Sequence, residues 1–206
     1  MNLSDEDGSE LVKLSRRAIE SYVAENAKIR ASADIAAKYG ERAGVFVTLN
    51  SLGAGEEKLR GCIGFPMPEK MLYDAVIDAA IASATDDPRF RKVTPEELNE
   101  IAIELSVLTP PELIEVKDRR QYKERIHIGK DGLIVHWSSG SGLLLPQVPV
   151  EYRWDAEQFL CETCMKAGAM PDAWLYDGTK VYRFEAIVFK ELAPEGSVVR
   201  VDLGAG

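Results

Sequence analysis

A basic side chain and a thiol lie two residues apart in the stretch 58–65, at Arg60 and Cys62. The stretch has the alternating pattern of a β-strand, so the two side chains are predicted to share one face, with Cα atoms roughly 7 Å apart. A thiol reacts as its thiolate, which a nearby cation favours. We therefore predict that Cys62 is a nucleophile or covalent attachment point, and that Arg60 lowers its pKa or holds an anionic group. A free cysteine on a strand is also commonly a small buried apolar residue, and the sequence leaves that alternative open.

Glycines flank this cysteine along the predicted strand. Gly61 and Gly64 place no side chain where another backbone or a ligand could approach closely, so both are candidate binding residues. Strand alternation predicts that Gly61 lies on the face opposite Cys62, together with Leu59 and Ile63.

A carboxylate in a second predicted strand is the next candidate. Glu104 falls within the alternating stretch 101–107, where an ionised group either faces solvent or needs a partner. If its face meets that of Cys62, Glu104 could pair with Arg60 and act as the nearest acid or base. An ordinary solvated sheet face is the alternative.

A turn with charged residues precedes that strand. Asp87 and Arg89 flank a proline, so the carboxylate could cap the turn backbone while the arginine reaches an acidic partner. Ligand binding by Asp87 and Arg89 is the alternative use of the same two groups. Thr94 and Glu97 have the spacing of a capping box and predict the start of a short helix.

Other reactive residue types carry weaker patterns. Gln147 lies in an apolar, proline-broken stretch and could present its amide to a ligand or tether backbone. His127 and His136, the only histidines, fall in the second half and give Cys62 no evident base. Cys161 and Cys164 form a Cys-x-x-Cys inside a predicted helix, without the second pair that a zinc site would need. We predict neither a metal nor a cofactor.

Composition narrows the class of protein. The chain has 206 residues, 46% of them apolar and 29% charged, with a net charge of −9 and three cysteines. An odd number of cysteines in a chain of this length predicts reduced thiols and a cytoplasmic location. No apolar run approaches a membrane span, the acidic N-terminus is unlike a secretory signal, and the negative charge disfavours nucleic acid.

The order of elements predicts an α+β fold with a mostly antiparallel sheet and flanking helices. A hairpin, a proline break, a helix and a strand occur twice, which predicts an internal duplication. The predicted hairpins pair 45–49 with 58–65 and 126–128 with 133–137. One domain over 1–206 is expected, which could divide into two lobes with the site cleft between them. The predicted helices span 10–27, 32–39, 69–84 and 155–167, with a short one from 94; the predicted strands span 45–49, 58–65, 101–107, 126–128, 133–137, 143–145 and 181–189.

Short motifs in a fixed order cover nearly the whole chain. They are LRGCIG at 59–64, DPRF at 87–90, TPEEL at 94–98, SVLT at 106–109, DGL at 131–133, LPQV at 145–148, KAG at 166–168 and YRF at 182–184. Together these motifs resemble the AMMECR-type domain family. The resemblance implies a duplicated α+β fold around a curved, barrel-like sheet and an intracellular protein, but no settled reaction. It also supports Cys62, Arg60 and Gly61 as site residues and implies a pathway shared with Memo-like and radical-SAM proteins.

Three functions follow from these observations. The first is an enzyme that uses the Cys62 thiol on a small molecule or peptide. The second is a non-catalytic binding or adaptor protein whose cleft recognises a protein or metabolite, which the missing histidine partner favours. Nucleic-acid binding is the third and has the least support.

Overall fold

The computed structural model of the protein describes residues 3–53 and 56–203. Its contacts divide the chain into two units, which are described separately. Unit 1 comprises the described residues within 1–108 and 187–201, and unit 2 those within 109–186 and 202–206. Among the described residues, no helix is long and apolar enough to cross a membrane.

The elements follow the predicted α+β class. The helices are α1 (Asp5–Glu25), α2 (Ala33–Lys38), α3 (Leu72–Thr85), α4 (Tyr122–Arg125), α5 (Gln147–Glu151) and α6 (Ala156–Lys166). Short 3-10 helices span Pro95–Glu100, Arg119–Gln121 and Ala173–Leu175. The strands are β1 (Gly44–Ser51), β2 (Lys58–Phe65), β3 (Ile101–Leu108), β4 (Glu112–Leu113), β5 (Asp131–Trp137), β6 (Gly140–Leu144), β7 (Lys180–Glu191) and β8 (Val198–Val201).

Unit 1 is a helix-covered antiparallel sheet. Strand β1 pairs with β2 on one side and with β3 on the other, both antiparallel. The last residues of β7 pair antiparallel with β8. Helices α1 and α3 pack on the apolar face of this sheet, where Val45, Val47, Leu49, Ile103 and Leu105 are almost completely buried. The opposite face carries the more polar residues of the same strands.

Helix α1 has strong local signals at both ends. Ser4 Oγ accepts a hydrogen bond from the Asp7 N–H at 3.1 Å, and the Asp7 carboxylate accepts one from the Ser4 N–H at 2.7 Å. This capping box satisfies N–H groups that have no partner within the helix. The helix ends at Asn26, whose backbone is in the left-handed region that commonly terminates helices.

A buried ion pair ties α1 to the end of β7 within unit 1. Arg16 Nε and Nη2 donate to the Glu191 carboxylate at 2.9 Å and 2.5 Å, and Glu191 also accepts the Ile103 N–H at 3.0 Å. Arg16 donates further to the Ile101 carbonyl at 2.6 Å. Burial opposes ionisation of the guanidinium, but the bonds to Glu191 outweigh it and raise the pKa of Arg16.

Unit 2 contains a second hairpin with a helix packed on it. Strand β5 pairs antiparallel with β6 and with residues 180–185 of β7, and β4 also pairs antiparallel with β7. Helix α6 packs on β5 and β6, and its Phe159, Leu160 and Cys164 are fully buried in the core of this unit.

The hairpin predicted between 126–128 and 133–137 is wrong. The Asp131 carboxylate accepts the His127 N–H at 2.8 Å, and the His127 carbonyl accepts the Asp131 N–H at 2.9 Å. These bonds close the segment into a turn that leads into β5. The hairpin is instead formed by β5 and β6, with residues 138 and 139 at its tip.

The predicted duplication is present in the order of elements and in one packing detail. In each unit a hairpin, a proline break, a helix and a strand follow one another. A Cβ on Gly61 of β2 would lie 2.2 Å from the Ser83 carbonyl oxygen of α3. A Cβ on Gly142 of β6 would lie 2.6 Å from the Thr163 carbonyl oxygen of α6. Both units therefore use a glycine to let a helix, α3 in unit 1 and α6 in unit 2, approach the hairpin.

Candidate functional site

Three polar side chains form a row across the sheet of unit 1. Thr48 on β1 is in register with Cys62 on β2 and with Glu104 on β3. Residues directly opposite each other on neighbouring strands share a face, so all three project from the face away from the helices. The Thr48 hydroxyl donates to Cys62 Sγ at 3.2 Å. A hydroxyl that donates to sulfur favours the thiolate form.

One strand separates the thiol from the carboxylate in this row. Adjacent strands are about 4.8 Å apart, so the Cα atoms of Cys62 and Glu104 are separated by about 10 Å. Cys62 and Glu104 are both half-buried. The predicted condition that their faces meet is therefore fulfilled, with Thr48 between them. A substrate group lying over Thr48 could reach both side chains.

Arg60 does not form the predicted pair with Glu104. Its Nε and Nη2 donate to the Glu97 carboxylate at 3.0 Å and 3.1 Å, and its Nη1 donates to the Arg91 carbonyl at 2.9 Å. Its side chain is only 11% exposed. The Glu97 carboxylate also accepts the Thr94 N–H at 2.9 Å, as the predicted capping box requires. Arg60 therefore anchors the segment after α3 to β2 and is not available as the cation beside the thiol.

A β-bulge explains why strand alternation failed at this point. Leu49 pairs with Gly61, but Asn50 pairs with Leu59, so Arg60 is the extra residue. A bulge shifts every side chain beyond it by one position. By its pairing with Asn50, Leu59 lies on the face of Thr48 rather than on that of Gly61, and it is 42% exposed. The prediction that Leu59 shares a face with Gly61 is wrong for this reason.

Asp87 and Arg89 hold the backbone of Cys62. Asp87 Oδ2 accepts the Cys62 N–H at 2.8 Å, and Asp87 Oδ1 accepts the Arg89 N–H at 3.1 Å, so the carboxylate caps its own turn as predicted. Arg89 Nε and Nη2 donate to the same carboxylate at 2.9 Å and 2.7 Å. Arg89 Nη2 also lies 3.4 Å from the Cys62 carbonyl oxygen. The acidic partner of Arg89 is thus Asp87 itself.

The electrostatics of the turn at Asp87 identify Arg89 as a cation that interacts with the charge of Cys62. Hydrogen bonding to Asp87 is the main cause that raises the pKa of Arg89, and the charge of Cys62 contributes to the same shift. Arg89 is 53% exposed, whereas the Asp87 side chain is 2% exposed. Arg89 therefore combines an anchored guanidinium with an accessible surface, which is the role that the sequence assigned to Arg60.

The stability of the turn at Asp87 should depend on pH through the Asp87 carboxylate. The bond from Arg89, together with the Cys62 and Arg89 N–H groups, holds the pKa of Asp87 well below its usual value. A depressed pKa contributes stability above the unfolded value of about 3.9 and loses it as the pH falls below that value. We expect Asp87→Asn to lower the free energy of unfolding by about 1–3 kcal/mol at pH 6.

Denaturant unfolding at pH 6 and at pH 3 measures this contribution. The difference in the free energy of unfolding between the wild type and Asp87→Asn should be smaller at pH 3 than at pH 6. The control is Asp86→Asn at the neighbouring residue, which is exposed. This control should change stability by less than about 0.5 kcal/mol at pH 6. An equal difference in the free energy of unfolding at both pH values would contradict the expected role of the Asp87 charge.

The two candidate binding glycines are required by packing. A Cβ on Gly61 would overlap the Ser83 carbonyl of α3, and a Cβ on Gly64 would lie 2.3 Å from the Phe46 ring. Ser83 is itself a residue that the sequence analysis missed. Its buried Oγ accepts the Ile63 N–H at 2.8 Å and donates to the Val47 carbonyl at 2.7 Å, which fixes α3 to both strands of the hairpin.

The remaining predicted residues all belong to unit 2. Gln147 is the half-buried first residue of α5, and its ligand role stays a prediction. His127 contacts Asp131, and His136 is exposed on β5 beside the Tyr182 ring. Cys164 is buried in α6, and burial raises the pKa of its thiol to about 11. Within the described residues, no group of three or more His, Cys, Asp or Glu side chains could hold a metal ion.

Thr48 is the central residue that sequence reasoning missed. It alternates with Val47 and Leu49, so the strand pattern already placed it on the polar face of β1. The sequence did not show the register of β1 with β2 and β3, which was needed to place Thr48 beside Cys62 and Glu104. A hairpin alignment that paired Thr48 with Cys62 would have identified it.

The chain is similar to proteins of known sequence and structure. A family model described as AMMECR1 matches residues 12–189. Protein TK0174 of Thermococcus kodakarensis is 52% identical over 202 residues, which cover 98% of both chains. Protein MJ0810 of Methanocaldococcus jannaschii is 46% identical over 202 residues, again 98% of both chains. The crystal structure of the uncharacterized protein PH0010 from Pyrococcus horikoshii matches with a TM-score of 0.93 and 50% identity, covering 97% of this chain and 98% of that one.

Proposed function

The chain belongs to the AMMECR1 family, and from the polar strand face of unit 1 we propose that it carries out thiol-dependent chemistry on a small molecule or peptide. The observation that carries this proposal is the row of Cys62, Thr48 and Glu104 with Arg89 at the Cys62 backbone. Cys62 is the nucleophile, and Glu104 is the acid or base across the row. Arg89 favours the thiolate or binds an anionic group of the substrate.

The proposed reaction begins at the sulfur atom. The Cys62 thiol loses its proton to solvent or to the Glu104 carboxylate, and the Thr48 hydroxyl donates to the resulting thiolate. Sγ then forms a bond to an electrophilic carbon of the substrate while the bond from that carbon to the leaving group breaks, and the leaving group takes up a proton from Glu104 or from solvent. A partly buried sulfur with a hydroxyl donor and a nearby guanidinium is the environment that reactive cysteines require.

Selective alkylation of Cys62 tests this proposal. We expect Arg89→Gln to slow the reaction of Cys62 with iodoacetamide at neutral pH by about threefold to tenfold, because a lost cation reduces the thiolate fraction. Peptide mass spectrometry follows Cys62 separately from Cys161 and Cys164. The matched control is Arg91→Gln, which removes the same charge from an exposed residue of the same segment.

Two further results bear on the same experiment. Arg89→Lys keeps the charge and should retain most of the reactivity, which separates charge from the shape of the guanidinium. A Cys62 thiol that stays unmodified in the native protein even in alkaline buffer would end the proposal. So would identical pH profiles for the wild type and Arg89→Gln.

A binding or adaptor role is the second candidate. It is favoured by one observation: both histidines of the chain, His127 and His136, belong to unit 2, whereas Cys62 belongs to unit 1. Metabolite and protein capture with wild type, Cys62→Ser and Arg89→Gln discriminates the two functions. A ligand that is retained by Cys62→Ser and lost by Arg89→Gln indicates recognition without thiol chemistry.

The partners and location remain proposals of the same kind. A cytoplasmic location is proposed from the reduced cysteines that the composition predicts. The link to Memo-like and radical-SAM proteins rests on the family resemblance alone and stays a prediction. Nucleic-acid binding has the least support, because the net charge is −9 and a phosphate backbone repels negative charge.

A further inference from the structure

Unit 2 contains a groove that has no part in the Cys62 chemistry. The groove has a volume of about 800 Å³ and is lined by residues 113–117, by residues of the segment 119–125 and by the start of β7 at 179–180. That volume is within the range of small-molecule sites. The buried side chains of Ile114 and Tyr122 contribute apolar surface to its lining.

The charge of this groove is opposite to that of the chain. The whole sequence has 34 acidic and 25 basic residues. The groove nevertheless brings together Lys117, Arg119, Arg125 and Lys180, with Glu115 as its only acidic lining residue among those described. A concave surface lined by charges of one sign concentrates ligands of the opposite sign.

These basic side chains are mostly without acidic partners. Within the described part of the chain, Lys117, Arg125 and Lys180 form no ion pair. Arg119 is positioned by its own contact, because its Nη1 donates to the Thr179 carbonyl at 2.9 Å. Its Nε lies 3.7 Å from Asp177 Oδ1, and the Asp177 side chain is fully exposed. Water and salt screen such an exposed charge. The cluster can thus accept an anion without first breaking a strong pair.

We propose that this groove binds a small amphiphilic anion. Its carboxylate or phosphate group contacts Lys117, Arg119 and Arg125, and its apolar part lies against Val116 and Tyr122. The proposal is independent of the Cys62 site, since every residue that carries it belongs to unit 2.

Fluorescence titration with anilinonaphthalene sulfonate tests the proposal, because this probe joins an apolar ring system to an anion. We expect Lys117→Gln/Arg125→Gln to weaken its binding by about tenfold. The matched control is Lys13→Gln/Arg17→Gln, which removes two exposed charges from α1. This control should change the affinity by less than about twofold, because neither residue lines the groove and salt screens exposed charges. Near-ultraviolet circular dichroism verifies that each variant remains folded.

Localisation and competition complete the test. Amide chemical-shift changes caused by the probe should fall within 113–125 and 179–180. Hexyl phosphate and hexanoate are then compared as competitors at equal concentration to show which head group displaces the probe better. Displacement of the probe by either compound supports the proposal. Equal affinity in the wild type and the groove variant, shift changes confined to other residues, or displacement by neither competitor would overturn the proposal.

Discussion

Replacing Arg16 with methionine is expected to lower the free energy of unfolding by about 3–5 kcal/mol. The change removes the partner of Glu191, whose side chain is 2% exposed, and leaves a buried carboxylate with the Ile103 N–H as a remaining donor. Removing one member of a buried ion pair is far more costly than the net contribution of the pair, because the other charge stays desolvated.

Two matched variants make this expectation specific. Arg17→Met changes an exposed arginine of the same helix. It should alter stability by less than about 0.5 kcal/mol. The double variant Arg16→Met/Glu191→Leu buries no charge and should recover part of the loss. Simple addition of the two single losses would contradict the idea that an isolated charge is the cause.

Two optical probes can assign the loss to a unit. All three tryptophans, at positions 137, 154 and 174, belong to unit 2. Tryptophan fluorescence therefore reports on unit 2, whereas far-ultraviolet circular dichroism also follows the long helices α1 and α3 of unit 1. Denaturant unfolding of Arg16→Met should shift the circular dichroism transition to lower denaturant. A shift in the fluorescence transition alone would contradict the assignment to unit 1.

The second large effect is expected from Gly61→Ala. The added Cβ would lie 2.2 Å from the Ser83 carbonyl oxygen and 3.2 Å from its carbon, and both are backbone atoms of a packed helix. Neither β2 nor α3 can relieve this overlap by rotating a side chain. We expect a loss of about 3 kcal/mol in the free energy of unfolding, at the upper end of overpacking effects.

The control for this substitution is Gly53→Ala. Among the described residues, a Cβ on Gly53 would meet only Ser51 Oγ, at 3.9 Å. Its effect on stability should therefore stay below about 0.5 kcal/mol. Since Cys62 follows Gly61 directly, the Gly61 variant should also change the alkylation rate of Cys62. Unchanged stability and an unchanged alkylation rate together would contradict the proposed close approach of α3.

The two arginines near Cys62 have roles that differ from those predicted from the sequence. The sequence assigned the cation to Arg60 because strand alternation put it on the face of the thiol. The bulge between Leu49 and Asn50 and the bonds to Glu97 turn Arg60 into an anchor. Arg89, which the sequence placed in a turn, is the exposed guanidinium at the Cys62 backbone. Variants of Arg60 are therefore expected to report on stability, and those of Arg89 on the thiol.

The sequence by itself determined the features that depend on neighbouring residues. Alternation placed β1, β3 and the long β7 to within a few residues, and helical periodicity did the same for α3 and α6. Helix α1 begins five residues before its predicted start at residue 10. The spacing of Thr94 and Glu97 predicted their capping bond, and the order of Asp87 and Arg89 predicted the turn. These structures involve groups a few residues apart, so their geometry is set by local backbone preferences.

Only the tertiary structure decided which distant residues meet. The row of Thr48, Cys62 and Glu104 depends on the register of three strands, and one extra residue at a bulge changes which side chains share a face. The pair of Arg16 and Glu191 joins residues 175 positions apart, and no local pattern marks either as buried. Such contacts are selected by the packing of the whole unit, because a buried polar group is tolerated only where a partner from elsewhere in the chain meets it.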